Sequence, residues 1–153
     1  MHRTNLLTFL LLLSILASVS LCALAKNVPV EQLKTRFVSA HPEDRPAIGI
    51  EIAQSQLRNA DKLYSAGNND AARAAVDDVV TYSEKARDAA TQVNKHLKNV
   101  EIDVRKMAEK LRDIKRTLSV EDQPPIEAAI RRLEDVRTTL LKAMFTNDKK
   151  DKK

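Results

Sequence analysis

The sequence has few of the residues that interrupt helices or build enzyme sites. Its 153 residues include 2 glycines, 5 prolines, 1 cysteine and no tryptophan, and aromatic residues make up 3%. So few glycines and prolines argue against a fold with many tight turns and favour long helices. The single cysteine, Cys22, excludes a disulfide within the chain.

Histidines and carboxylates do not form the patterns of a catalytic or metal site. Neither His41 nor His96 has another His or Cys three or four residues away, the spacing that places two ligands on one helix face. The carboxylates alternate with basic residues, as on exposed helix faces. The sequence therefore predicts no catalytic, cofactor-binding or metal-binding residue, and a protein that is not an enzyme.

The excess of basic residues does not indicate a nucleic-acid site. The formal net charge is +5, and the densest basic group comprises Arg105, Lys106, Lys110, Arg112, Lys115 and Arg116. Acidic residues interleave with this group, and no aromatic residue is close enough in sequence to stack on bases. We expect a solvated helix face and no nucleic-acid partner.

The N-terminal stretch is typical of a cleavable export signal. His2 and Arg3 precede an apolar run over residues 6–19, and small residues end the segment at Ala23 and Ala25. The prediction is a signal peptide at residues 1–25, cleaved after Ala25, and a periplasmic or secreted protein. The alternative is an uncleaved membrane anchor, because residues 6–25 are just long enough to span a bilayer.

The strongest pattern in the chain is a seam of apolar residues over 72–118. Steps of four and three connect Ala72, Val76, Val79, Ser83, Ala86, Ala90, Val93, Leu97, Val100, Val104, Met107, Leu111, Ile114 and Leu118, all apolar except Ser83. No glycine or proline interrupts the run. The pattern predicts one long helix over about 69–118, roughly 70 Å in length, with the heptad seam of a coiled coil.

Three shorter helices are predicted at about 29–40, 46–66 and 124–146, and a disordered charged tail at 147–153. Short turns make successive helices antiparallel, so the expected fold is all-α, with elongated helical hairpins built on the long helix within a domain at 26–146. The alternative is a break at about 94–99, where Asn94, His96 and Asn99 lower helix propensity, giving a compact bundle. The unbroken heptad register favours the rod.

A short repeat marks the starts of two of these helices. The pattern E-D-x-P-x-I-x-x-x-I occurs at residues 43–52 and again at 121–130. Proline and carboxylates suit a first helical turn, and the two isoleucines share a face. The repeat indicates either convergence on a good helix start or duplication of a helix–turn–helix unit.

Two stretches resemble known families. Residues 63–72, with Gly67 at the position of the turn glycine and Ala72 at that of the small alanine, are similar to a single tetratricopeptide hairpin, which implies two antiparallel helices. Residues 118–123 (LSVEDQ) are similar to the LTxxQ motif of small periplasmic helical stress and chaperone proteins, with Gln123 one residue late. The second resemblance implies a role in the cell envelope.

The function that these features favour is that of an exported, non-enzymatic interaction or scaffold protein of the cell envelope. Val80, Ala89, Ile102 and Ala108 lie beside the seam, and an uncovered apolar patch there would favour a protein partner or a homodimer. One alternative is a periplasmic holdase chaperone. Another is a binder of anionic envelope polymer through the basic ends, including weak surface contact through the tail.

Overall fold

A computed structural model describes residues 29–150, with side chains described as far as residue 146. Its helices are α1 (Val30–Ser39), α2 (Arg45–Ser65), α3 (Asn69–Val93), α4 (Leu97–Thr117) and α5 (Gln123–Lys150), with a 3-10 turn at Val120–Asp122 before α5. This part of the chain contains no strand, which confirms the all-α prediction. The predicted signal peptide at 1–25 lies outside the described residues.

Two antiparallel helical hairpins form the body of the molecule. The first hairpin is α2–α3 and the second is α4–α5; α3 packs along α5, and α2 packs along α4. Ion pairs fix the directions, because Arg73 near the start of α3 reaches Asp122 just before α5, and Glu84 reaches Arg132 further along both helices. The two hairpins therefore pack in the same direction as a four-helix bundle.

The region predicted as one helix over 69–118 is two helices, because the chain reverses at residues 94–96. Asn94 and His96 both have a left-handed backbone, with φ of 52° and 65°. The Asn94 N–H donates to Thr91 O at 3.3 Å and the Lys95 N–H to Ala90 O at 3.2 Å. This pair of bonds is a Schellman motif, which ends α3 in place of a glycine cap. The compact-bundle alternative is therefore the arrangement observed.

The seam residues of α3 and α4 supply much of the core of this bundle. Val79, Val104 and Leu111 have no exposed surface, and they belong to one cluster with residues of α2 and α5 such as Ile52 and Leu133. Folding α4 back beside α2 surrounds the seam with four helices, which removes more apolar surface from water than a single rod would. That gain is the physical reason for the break.

Ser83, the polar member of the seam, is also fully buried. Its hydroxyl donates to the carbonyl of Val79 within α3, at 2.7 Å. The bond to the preceding turn satisfies the hydroxyl, so a serine fits the apolar interior without a partner from another helix.

The first helix packs across α2 and α3 through a close approach at Gly49. A Cβ atom at Gly49 would lie 3.1 Å from Ala86 Cβ, 3.2 Å from Tyr82 O and 3.3 Å from the Phe37 ring. Phe37 of α1 meets the Tyr82 ring edge-on, with 5.8 Å between centroids. A residue without a side chain at position 49 therefore lets three helices meet.

The helix α2 ends at a glycine cap, and α5 extends beyond its predicted end. Gly67, with φ of 74°, caps α2 through the same Schellman bonds as at Asn94. The last helix continues to Lys150, past the end predicted at 146 and into the predicted disordered tail. Within residues 29–150, none of the helices has the length and apolar character needed to cross a membrane.

Candidate interaction site

The apolar residues beside the seam are covered within the chain. Val80 and Ala108 have no exposed surface and Ala89 is 9% exposed, while Ile102 is half-buried. The uncovered patch expected at these four positions is therefore not found. Because α4 folds back at residues 94–96, the second hairpin covers the apolar surface that a rod would leave open.

The basic residues at 105–116 serve largely to join helices. Three of them bridge to neighbouring helices, in the pairs Lys110–Asp61 at 2.8 Å, Arg112–Glu134 at 2.6 Å and Lys115–Glu127 at 3.0 Å. A fourth, Arg116, pairs with Asp113 within α4 at 2.8 Å. Because acidic residues of the same chain balance these cations, the segment offers little net charge to an anionic polymer.

A network around Arg137 connects α4 to α5. Arg137 donates to Glu101 at 3.0 Å and to Glu134 at 2.7 Å, and Arg112 also donates to Glu134. Partial burial acts to raise the pKa of Glu134, but the hydrogen bonds from the two arginines outweigh it and the pKa is lowered. Burial acts to lower the pKa of Arg137, but its two carboxylate partners outweigh it and the pKa is raised. Both groups stay charged at neutral pH, as a structural network requires.

Two cavities lie between α2 and α4, which run side by side in the same direction; we call the surface that holds them the α2–α4 groove. A cavity of about 250 Å³ opens at one end, lined by Ala47, Ile50, Glu51, Gln54, His96, Asn99, Val100 and Asp103. A cavity of about 540 Å³ opens at the other end, lined by Asp61, Tyr64, Ser65, Lys110, Asp113, Ile114, Thr117 and Leu118. The groove follows from the 94–96 turn, which brings α4 beside α2.

The smaller cavity combines an apolar floor with acidic walls. Ile50 of α2 and Val100 of α4 are buried at its base. Glu51 and Asp103 stand on the two walls, and neither forms an ion pair or hydrogen bond with another described residue. This end can therefore receive an apolar side chain together with a positive charge.

The larger cavity is crossed by a salt bridge and lies beside a group of hydrogen bonds to Asp122 at the end of the bundle. Lys110 and Asp61 span it from α4 to α2. Beside it, Asp122 accepts hydrogen bonds from Asn69 and Arg73, both at 2.7 Å. The Tyr64 hydroxyl is buried with no hydrogen-bond partner among the described residues, and burial raises the pKa of Tyr64. The bridge restricts access to this end of the groove.

The two histidines both lie near Glu43, although they are far apart in sequence. His41 and His96 are both exposed, and both help to lower the pKa of Glu43, whose main partner is the Lys95 ammonium at 2.9 Å. Within residues 29–150, no group of three or more His, Cys, Asp or Glu residues could hold a metal ion. The spacing of residues in the sequence does not predict that His96 lies near Glu43, because this depends on the turn at residues 94–96.

The fold and the groove define an all-α protein built from two hairpins, with an open groove between neighbouring helices. The chain matches no known protein-family model, no curated protein and no solved structure. The α2–α3 hairpin has the antiparallel form that the tetratricopeptide resemblance implies, but it packs on a second hairpin instead of a repeat of itself.

Proposed function

We propose that the protein is an exported, non-enzymatic interaction protein of the cell envelope, which binds a protein partner in the α2–α4 groove. The observation that carries the proposal is a pair of carboxylates, Glu51 and Asp103, which have no ion-pair partner among the described residues and lie over the apolar floor formed by Ile50 and Val100. Unpaired charges beside an apolar depression are the arrangement that specific partners use.

The partner that fits this groove is a protein segment with an apolar side chain flanked by lysine or arginine. The apolar side chain would fill the cavity of about 250 Å³ between Ile50 and Val100. The basic side chain would reach Glu51 or Asp103 on the walls. Arginine suits such sites best because its planar group donates two parallel hydrogen bonds to a carboxylate.

The proposal is tested by photo-crosslinking in the native host. A photoreactive amino acid replaces Gln54, which is half-buried in the wall of the groove, and in a control it replaces Ala128, which is exposed on α5. We expect a discrete adduct from position 54 that is absent from position 128. Equal labelling at both positions, or no adduct at position 54, would contradict the proposal.

Charge reversal tests the role of the two carboxylates. The double variant Glu51→Lys, Asp103→Lys repels a basic partner, and we expect the adduct from position 54 to disappear. The matched control is Asp135→Lys, which reverses an exposed carboxylate on α5 and should leave the adduct unchanged. If the adduct survives the double variant, the partner is not held by the acidic walls.

The holdase function has less support from the surface. The large exposed apolar residues of the described part are Val38, Val120, Leu141 and Phe145. The first two lie in separate elements, and Leu141 and Phe145 form one short strip on α5. The described residues therefore form no broad apolar surface of the kind that unfolded clients require. A holdase would suppress aggregation of a denatured client at an equimolar ratio or below, whereas we expect no suppression.

Binding of anionic envelope polymer is separable by a truncation. Deleting residues 147–153 removes four lysines and two aspartates from the end of the chain. If the basic end binds an anionic polymer, the deletion abolishes salt-sensitive retention on that polymer. Under the groove proposal the deletion leaves the crosslinked adduct from position 54 intact.

A further inference from the structure

The turn at residues 94–96 closes the bundle through an unfavourable backbone. Two of its three residues, Asn94 and His96, adopt left-handed conformations without being glycine. Asparagine tolerates this conformation, but histidine does so less often, and glycine is the residue that adopts it without strain. At this turn, more than elsewhere in the fold, the observed backbone conformation differs from the one that its residues prefer.

The residues on both sides of the turn carry the pattern of one uninterrupted helix. Ala90, Val93, Leu97 and Val100 follow each other at steps of three, four and three. A straight helix through residues 69–117 would keep these side chains on one face, toward the same kind of core. The sequence is thus compatible with both a bent and a straight connection between α3 and α4.

The contacts between the two hairpins do not require that both belong to one chain. They consist of the α3–α5 and α2–α4 interfaces, with the ion pairs Glu84–Arg132 and Asp61–Lys110 across them, and of contacts between α3 and α4. If the turn straightens, each hairpin loses its partner within the chain. A second copy in the same state offers the missing hairpin with an identical surface.

We propose that the protein forms a domain-swapped dimer, in which residues 94–96 become helical and the α2–α3 hairpin of one chain packs on the α4–α5 hairpin of a second copy. Two straight helices, each about 74 Å long, then run antiparallel through the dimer. The α3–α5 and α2–α4 interfaces are kept, while the contacts of the turn and the Lys95–Glu43 ion pair beside it are lost. The dimer goes beyond the proposed function, since each α2–α4 groove then lies between two chains, with its wall at His96 changed.

Substitutions in the turn test which connection the chain prefers. Asn94→Ala with His96→Ala removes residues that accept the left-handed backbone and favours the straight helix. In each chain, the equilibrium between the bent and the straight connection should shift about tenfold toward the straight form. Because the dimer contains two such connections, its dissociation constant should fall about a hundredfold. The matched control, Asn94→Gly with His96→Gly, should shift the full chain toward monomer. Mass is measured by light scattering after refolding at several protein concentrations.

Crosslinking then distinguishes a swapped dimer from two bundles packed side by side. Glu84→Cys and Arg132→Cys place thiols on α3 and α5 in a Cys22→Ser background, and a short bismaleimide joins them. In the isolated dimer fraction of the wild-type turn, we expect the crosslink to join two chains, while the monomer fraction is crosslinked within one chain. Crosslinks within single chains in the dimer fraction, or the absence of dimer from both wild type and the alanine variant, would overturn the inference.

Discussion

Gly67 is needed for its backbone alone. It has φ of 74° at the end of α2, and a Cβ atom there would meet nothing within 4 Å. We predict that Gly67→Ala lowers the free energy of unfolding by about 1 kcal/mol, because a side chain disfavours the left-handed conformation. Gly67→Asn should cost less, since asparagine tolerates that conformation. Urea denaturation of the three proteins measures the difference, and an equal loss for Ala and Asn would contradict this explanation.

Gly49 is needed for the opposite reason, because it lies in an ordinary helical conformation but has no room. The nearest atoms include the Tyr82 carbonyl oxygen at 3.2 Å and Ala86 Cβ at 3.1 Å, neither of which is a flexible side-chain end. Alanine improves helix propensity by up to about 1 kcal/mol, but overpacking costs about 1 to 3 kcal/mol. We predict a net loss for Gly49→Ala in thermal unfolding, and a gain in stability would show that α3 can shift away from α2.

The ion pair between Glu101 and Arg137 stabilises the packing of α5 on α4. Glu101 is 9% exposed and depends on Arg137 for its charge partner. Arg137→Leu should destabilise the protein by about 2 kcal/mol, because a largely buried carboxylate loses its partner. The double variant Glu101→Leu, Arg137→Leu should recover most of that loss, since an apolar pair needs no desolvated charge. Denaturant unfolding of the wild type, both single variants and the double variant gives the coupling free energy between Glu101 and Arg137. If the losses of the single variants add up in the double variant, the explanation is wrong.

The same network makes stability depend on pH in the acid range. The pKa of Glu134 is lowered from its ordinary value of 4.5 by Arg112 and Arg137, so the folded state binds a proton there less readily than the unfolded state. Its contribution is therefore complete above about pH 4.5 and is lost as the pH falls through the lowered pKa. We predict that thermal unfolding of Glu134→Gln depends less on pH below 4.5 than that of the wild type. Parallel curves for the two proteins would exclude Glu134 as a source of the dependence.

Periodicity predicted the helices and the apolar seam, but it could not decide how α3 and α4 connect. Gly67 predicted the turn after α2 from the sequence alone, because glycine is the usual residue at a helix end of this kind. Asn94 makes the same motif, yet the heptad register runs through it without interruption. The turn is stabilised by burial of Leu97 and Val100 against the rest of the bundle, which sequence spacing does not reveal. The groove was missed for the same reason.

The repeated helix start marks two equivalent turns. Residues 43–52 follow α1 and open α2, and residues 121–130 follow α4 and open α5. In both places proline and carboxylates occupy the first turn of the new helix. Convergence on a good helix start and duplication of a helix–turn–helix unit both place the pattern at such a junction.

The whole molecule differs in length between two forms, the closed form with the turn at residues 94–96 and the straight form in which these residues are helical. In the closed monomer the longest element is α5, whose 28 residues span about 42 Å. A compact body of this size has a radius of gyration of about 14 Å. We predict that small-angle scattering from the monomer fraction of the Asn94→Gly, His96→Gly variant indicates such a compact body. A maximum dimension of the folded part above about 70 Å in that fraction would mean that the connection is straight even in the monomer.

The two hairpins also set the order in which the chain can fold. Each hairpin pairs segments that are close in sequence, so its loop closes quickly, and proteins rich in such local contacts fold fast. Each hairpin can therefore form before the two hairpins pack on each other, and until then the face that α2–α3 turns toward α4–α5 is open to water. In the proposed swap, the protein concentration then determines whether this face meets the second hairpin of its own chain or that of a neighbouring chain. We therefore expect the share of swapped dimer to depend on the concentration at which the chain folds, as well as on the energy of the finished fold.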